Sequence, residues 1–244
     1  MSSVQIDWRQ QRVLVIAAHP DDEVIGCGGL LSRVKREGGQ VHVLYMAVDD
    51  LIEYSPAGGS TAEQRMAEIE RVAEFLSLDS WHAACIGERR TPRLDALPRC
   101  ELVDLLEGRP EHGAALPVLR PTVVVAPEVT SYNQDHRAVG QAVLTALRPG
   151  PDRWRHQPRL VLAYEQVADF WSGASTAPHP RNFFVELSAS DVDRKIAALR
   201  LHESQWRDHP HTRSEAALRG LAAVRGAQSG TRYAEAFHCL RWRA

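Results

Sequence analysis

Two polar clusters interrupt the apolar runs of this 244-residue chain. The first, HPDDE, sets His19, Asp21, Asp22 and Glu23 directly after the apolar run VLVIAA. The second, SYNQDH, places Asn133, Asp135 and His136 shortly after TVVVAP. A histidine with an aspartate close behind it, joined by a histidine from a second strand end, offers two nitrogens and one oxygen. That is the donor set of a catalytic zinc site, with three protein ligands and an open position for water. A divalent cation also turns crowded carboxylates from costly to favourable. The carboxylate left over would sit beside the metal water, where a general base is needed. Spacing alone leaves open whether Asp21 or Asp22 is the ligand.

Each cluster has a plainer reading. Asp21, Asp22 and Glu23 suit the first turn of a helix, where the macrodipole favours acids; that does not explain His19. Asn133 suits a helix N-cap and His136 a solvated first-turn position. The glycines of GCGG, 26–29, would suit a phosphate cradle at a helix N-terminus. They lack both the G-x-G-x-x-G spacing and the Walker lysine, so they are assigned to close helix packing or backbone approach to a ligand. The joint occurrence of the two clusters is what favours the metal.

The elements that must position these groups follow from hydrophobic periodicity. VLVIAA (13–18), VHVLYMAV (41–48) and TVVVAP (122–127) are continuous apolar runs, the pattern of strands covered on both faces. A weaker strand is expected near 82–86, and RLVLAYE and NFFVELS are expected strands further on. Between them lie helical segments. VIGCGGLLSRVKREGG is closed by Gly38 and Gly39. A helix with Met66, Ile69, Val72, Ala73 and Leu76 on one face follows a capping box of Ser60 and Glu63. ELVDLLEG, RAVGQAVLTAL, DVDRKIAALRLHESQW (capped by Ser190) and SEAALRGLAAVRG complete the helical set. YAEAFHCLRW is expected to be a final edge strand. The alternation predicts one α/β domain over 1–244, a mostly parallel sheet with right-handed crossovers and helices on both faces. In such sheets ligands collect at the carboxyl ends of the strands, where both clusters fall.

Ending a first strand, AHPDDE resembles the signature of the PIG-L/LmbE-like zinc-dependent N-deacetylases, and the similarity covers nearly the whole chain. RMAEIERVAEFLSL resembles the family's Arg-x-x-Glu helix and NQDHRAV its second metal motif. KIAALRLHESQ and RGAQSGTRYAEAF are similar to its C-terminal Lys…His-x-Ser-Gln and Arg-Gly…Ala-Glu-x-Phe segments. The resemblance implies a Rossmann-like fold, Zn2+ or another divalent metal on His19, Asp22 and His136, and Asp21 as general base. It implies removal of an N-acyl group, most often acetyl, from an N-acetylglucosamine-type amino sugar or small glycoconjugate. It further implies assembly as a trimer or hexamer. Asn133 stands where many members carry a histidine that acts on the carbonyl or donates a proton. Asn133 can donate a hydrogen bond but cannot titrate, so the proton for the amine falls to Asp21, another acid or water. Asp135 is expected to orient a ligand or Asn133. Arg65 matches an arginine that in some relatives faces the sugar; its other role is an ion pair with Glu68. MAVDD replaces a Thr-x-Gly turn found in relatives, so substrate contacts do not transfer there.

Asp95 is a loop carboxylate with sugar hydroxyls as its alternative partner. Phe170 and Trp171 are aromatic candidates for a sugar face, the alternative being packing, and the loop 170–181 is expected to help set the substrate. His202 is read as a structural hydrogen-bonding residue, and His179, His209 and His211 as solvent-exposed. A formal net charge of −2 without a basic run excludes a nucleic-acid footprint. No apolar run reaches bilayer length, and MSSVQIDWRQQR lacks the h-region of a signal peptide. The four scattered cysteines fit reduced thiols, so a cytoplasmic enzyme is expected. Two other functions compete: an amidase of the same family cutting a larger amide such as a thiol conjugate, and a non-catalytic sugar- or nucleotide-binding module.

Overall fold

The computed structural model describes residues 6–51, 58–88, 93–107, 112–171 and 181–243. In chain order the elements are β1 (Arg12–Ala17), α1 (Asp22–Glu37), β2 (Gln40–Val48), α2 (Ala62–Leu76), β3 (Ser80–Ile86), α3 (Arg99–Glu107) and the single turn α4 (Leu116–Leu119). Then come β4 (Val123–Pro127), α5 (Gln134–Ala146), β5 (Leu160–Tyr164), β6 (Phe183–Leu187), α6 (Ala189–Leu201), α7 (Glu215–Ser229) and β7 (Tyr233–Trp242). The strands form one sheet in the order β3-β2-β1-β4-β5-β7-β6. β1 to β5 pair in parallel, while β7 runs antiparallel to both β5 and β6.

The apolar runs alternate between two cores because successive strand side chains point to opposite faces. Val13, Val15 and Ala17 of β1 join Val41, Val43 and Tyr45 of β2 beneath α1, α2, α6 and α7. Leu14 and Ile16 join Leu44, Met46 and Val124 against α3 and α5. A strand buried on both faces has no reason to carry polar residues until it ends. β1 accordingly stays apolar up to His19.

Three local expectations change. The N-cap of α2 is Thr61, whose capping box is completed by Gln64; Ser60 instead bridges Leu51 in antiparallel pairing. The cap of α6 is Ser188, boxed with Asp191, so Ser190 lies inside the helix. That helix stops at Leu201, and HESQW leaves it in a turn. β7 is an interior strand held on both sides, and β6 takes the edge. Alternation along β7 does not mark an exposed face, because Ala234, Glu235, Ala236 and Phe237 are all buried.

The glycines of α1 serve packing. A Cβ on Gly26 would lie 2.5 Å from the Tyr164 ring, and one on Gly29 would lie 2.4 Å from Leu187 Cδ1. α1 breaks at Cys27, which has φ −150° and ψ 20°. The broken ladder leaves backbone donors, and the buried Glu235 carboxylate of β7 accepts from Gly29 N–H at 2.9 Å and Leu30 N–H at 2.7 Å. Lys195 of α6 neutralises that carboxylate through a 2.7 Å contact. The Lys195 and Glu235 of the C-terminal motifs are thereby accounted for as supports of α1. Among the described residues, no helix is long and apolar enough to cross a membrane. None of the four cysteines is in a disulfide.

Candidate active site

Strand order reverses between β1 and β4, which opens a crevice at the carboxyl edge of the sheet. β1 delivers His19 to that crevice and α1 begins there with Asp22. On the other side, the β4–α5 connection delivers Ser131, Asn133, Asp135 and His136. One ligand atom from each of His19, Asp22 and His136 falls within 4.8 Å of the others, and all three residues are buried.

The surroundings decide which atom of each residue is offered. His19 Nε2 is hydrogen-bonded to Asp135 Oδ2 at 2.8 Å, which leaves Nδ1 facing Asp22 Oδ2 at 3.7 Å. Asp135 is fully buried, and its other oxygen accepts from Leu94 N–H at 2.9 Å and, more weakly, Asp95 N–H at 3.4 Å. A carboxylate behind a histidine fixes the ring tautomer and raises its basicity toward a metal. His136 turns Nε2 toward Asp22 Oδ1 at 3.2 Å. Asp22 accepts His19 N–H at 2.8 Å and the Gln166 amide at 2.6 Å. Burial pushes its carboxyl upward, but the imidazoles of His136 and His19 outweigh that and hold it well below the usual carboxylate range. Burial opposes a proton on His136, and the Asp22 charge beside it more than compensates, raising its pKa. A buried pocket of two imidazoles and one carboxylate, with the outer atoms of each already partnered, matches the chemistry of a divalent metal site.

Asp21 lies beside the trio without joining it. Its backbone has φ 108°, a region L-residues other than Asn and Asp seldom enter. Such strain clusters where the surroundings over-determine a functional geometry. Glu23 Oε2 accepts the Asp21 N–H at 3.0 Å. Its Oδ2 accepts no hydrogen bond and faces Arg213 Nε at 3.4 Å. Burial raises the Asp21 pKa, with Arg213 acting against it. Arg213 sits between α6 and α7, carries no local motif, and was not among the sequence candidates.

The remaining candidates divide clearly. Asn133 is the N-cap of α5, and its Oδ1 accepts Asp135 N–H at 2.9 Å. Capping describes Asn133, then, but His136 is buried rather than solvated. Arg65 is only 2% exposed and donates to the Pro20 carbonyl at 3.2 Å, so it underpins the HPDDE turn and is no surface pair. Burial lowers its pKa. His202 is completely buried and bonded to Glu23 Oε1 at 2.7 Å, outside the trio. His209, His211 and Asp95 are exposed, and His179 lies outside the described residues. Residues 172–180 of the loop 170–181 also lie outside them. Phe170 and Trp171 are 44% and 73% exposed, so packing does not account for them. Trp171 meets Tyr132 edge-to-face with centroids 6.2 Å apart.

Residues 14–147 match the model of the family described as PIG-L, GlcNAc-PI de-N-acetylase. The chain belongs to the PIG-L family. It is 30% identical over 236 residues to a diacetylchitobiose deacetylase of Thermococcus kodakarensis, covering 92% of this chain and 81% of that one. It is 27% identical over 183 residues to a 1D-myo-inositol 2-acetamido-2-deoxy-α-D-glucopyranoside deacetylase of Geodermatophilus obscurus, covering 66% of this chain and 60% of that one. The fold matches that of an N,N'-diacetylchitobiose deacetylase from Pyrococcus horikoshii, with TM-score 0.68 and 22% identity over 98% of this chain and 87% of that one. Within this PIG-L chain, Ser131, Gln166, Asp169 and Arg213 complete the surroundings of the trio. Ser131 alone had a sequence signal, standing two residues before Asn133 in SYNQDH.

Proposed function

We propose that this chain is a zinc-dependent N-deacetylase that hydrolyses the acetamide of an N-acetylated amino sugar or a small glycoconjugate. The observation that carries the proposal is the buried His19, Asp22 and His136 trio, which brings two nitrogens and an oxygen together beside the strained Asp21. His19 Nδ1, Asp22 and His136 Nε2 would hold the zinc. When bound, zinc supplies Lewis acidity, lowering the pKa of a water toward about 7 and polarising the amide carbonyl. The named relatives are deacetylases, one of diacetylchitobiose and one of an inositol-linked 2-acetamido sugar.

The side chains of the site divide the work. Asp21 takes the proton of the attacking water and passes it to the departing amine. Its burial suits that role, because a raised pKa brings a carboxylate closer to the pH at which it both accepts and releases a proton. Arg213 holds Asp21 Oδ2 from the solvent side and limits how far the carboxylate turns. The Asn133 amide group donates to the acyl oxygen while its own oxygen caps α5. Phe170, Trp171 and Tyr132 offer exposed ring surface for a pyranose. The proposal includes one cytoplasmic domain acting on a small diffusible substrate.

The test is release of primary amine and acetate from N-acetylglucosamine, diacetylchitobiose and an N-acetylglucosaminyl inositol, with added zinc and after chelation. Amine and acetate should appear in equal amounts and only with metal. Asp21→Asn should slow turnover by about 10²-fold or more, the usual worth of a general base, with zinc stoichiometry unchanged. Undiminished turnover in that variant removes Asp21 from its role, and metal-independent turnover removes the zinc mechanism.

A further inference from the structure

Two side chains from one short turn reach the trio from a direction the motifs do not mark. After β5 the chain forms a single 3-10 turn over Val167–Phe170, with Gln166 as its N-cap residue and Asp169 inside it. Asp169 N–H donates to the Gln166 backbone carbonyl at 3.0 Å, and Asp169 Oδ2 accepts Gln166 N–H at 3.0 Å. The Gln166 side-chain NH2 donates to Asp22 Oδ1 at 2.6 Å, and a carboxylate oxygen can only accept, which orients the amide.

The other oxygen of Asp169 accepts the Ser131 hydroxyl at 2.6 Å. A serine hydroxyl has one hydrogen, so Ser131 Oγ can only accept from its other neighbours. Those are Asn133 N–H at 3.2 Å and His136 Nδ1 at 3.5 Å. His136 Nδ1 must then carry a proton, which leaves Nε2, 3.2 Å from Asp22 Oδ1, as the atom turned to the crevice and able to ligate a metal. His136 is thus backed by Asp169 through Ser131, much as His19 is backed by Asp135 directly.

We propose that the turn 166–169 is a positioning device for the metal donors. Asp169 sets the tautomer and ring angle of His136 through Ser131, and Gln166 sets the carboxylate plane of Asp22. The proposal rests on His19, Asp22 and His136 being the donors. It explains why a turn leading directly into the exposed Phe170 and Trp171 also carries one contact to the β1–α1 side of the site and one to the β4–α5 side.

Zinc affinity measured by competition with a chromophoric chelator tests it, with no reliance on turnover. His136→Ala should abolish tight zinc binding. Asp169→Asn and Ser131→Ala should each weaken binding by about 10- to 100-fold, the usual effect of losing a ligand's partner. The double variant should be no weaker than either single one, because both act along one path. Ser131→Thr, which keeps the hydroxyl, should retain the affinity. Long-range 1H–15N spectra of zinc-loaded protein should show His136 protonated at Nδ1, with that proton exchanging faster in Asp169→Asn. If the parent protein binds no zinc, the donor assignment itself fails and this inference falls with it. If the parent binds zinc and His136→Ala loses it, but Asp169→Asn and Ser131→Ala bind like the parent, the donors stand and the positioning role is wrong.

Discussion

At the scale of single residues, the HPDDE cluster is a set of carboxylates given distinct environments. Asp22 is held ionised by two imidazoles, Asp21 is pushed toward protonation by burial, and Glu23 turns away to meet His202. That last pair has a measurable consequence. Burial works against a charge on His202, yet the Glu23 carboxylate and the Glu68 side chain raise its pKa to about 9 from the ordinary 6.5. A raised folded-state value means the stabilisation is complete below about pH 6.5 and is lost as pH rises through about 9. Urea denaturation of chelator-treated protein should show stability falling by on the order of 3 kcal/mol between pH 6.5 and 9.5. His202→Gln should be less stable at the lower pH and should flatten the dependence. An equally steep fall in the variant would assign it to other groups. The residue types here were legible early, because His, Asp and His at two strand ends have few other joint explanations. The partner of each was not. Nothing near Asp135 in sequence indicates that it pairs with His19, 116 positions away.

At the scale of elements, α1 is the piece whose geometry matters most, since its first turn carries Asp22 and its body must lie close to the sheet. The apolar and glycine pattern predicted the helix and its Gly38 terminus, and Gly38 does adopt the left-handed conformation at the C-cap. The break at Cys27 was not legible, because it depends on a carboxylate supplied by β7 from more than two hundred positions downstream. Gly26→Ala would drive a methyl group into the Tyr164 ring, which is buried and has no room to turn. Overpacking of this kind costs about 1–3 kcal/mol, to be read from the denaturant midpoint at unchanged slope. Gly220→Ala is the contrasting case. Gly220 lies inside α7 with nothing within 4 Å of its added Cβ, so alanine should stabilise by about 0.5–1 kcal/mol. Equal effects at the two positions would contradict the packing role given to the α1 glycines. The misplaced caps at Ser60 and Ser190 have a common cause. Each has a hydroxyl neighbour, Thr61 or Ser188, at the true boundary, and only the backbone decides which hydroxyl can reach an N–H.

At the scale of the whole molecule, the trio joins both sides of the strand-order reversal. His19 and Asp22 come from the β1–α1 side and His136 from the β4–α5 side. A metal there ties together two segments more than a hundred residues apart. Anything that binds only the folded chain stabilises it by mass action, about 2.7 kcal/mol at a hundredfold excess over Kd. For a chain of this size that corresponds to a Tm rise of about 5–10 °C on adding zinc. The rise should vanish in His136→Ala and reverse on chelation. A Tm indifferent to zinc in the parent protein would count against the donor assignment.

The sequence by itself determined the α/β class, the strands covered on both faces, and which residue types stand at two strand ends. These are local properties: periodicity reports burial over a few residues, and apolar runs end where the sheet edge meets water. Tertiary structure alone decided the rest. It showed that β7 is interior, that Glu235 and Lys195 support the broken α1, that Asp135 backs His19, and that Gln166, Asp169 and Ser131 surround Asp22 and His136. Each of these is a contact between segments far apart in the chain. A buried carboxylate or hydroxyl takes whichever donor the fold brings within about 3 Å, and no local pattern encodes that encounter.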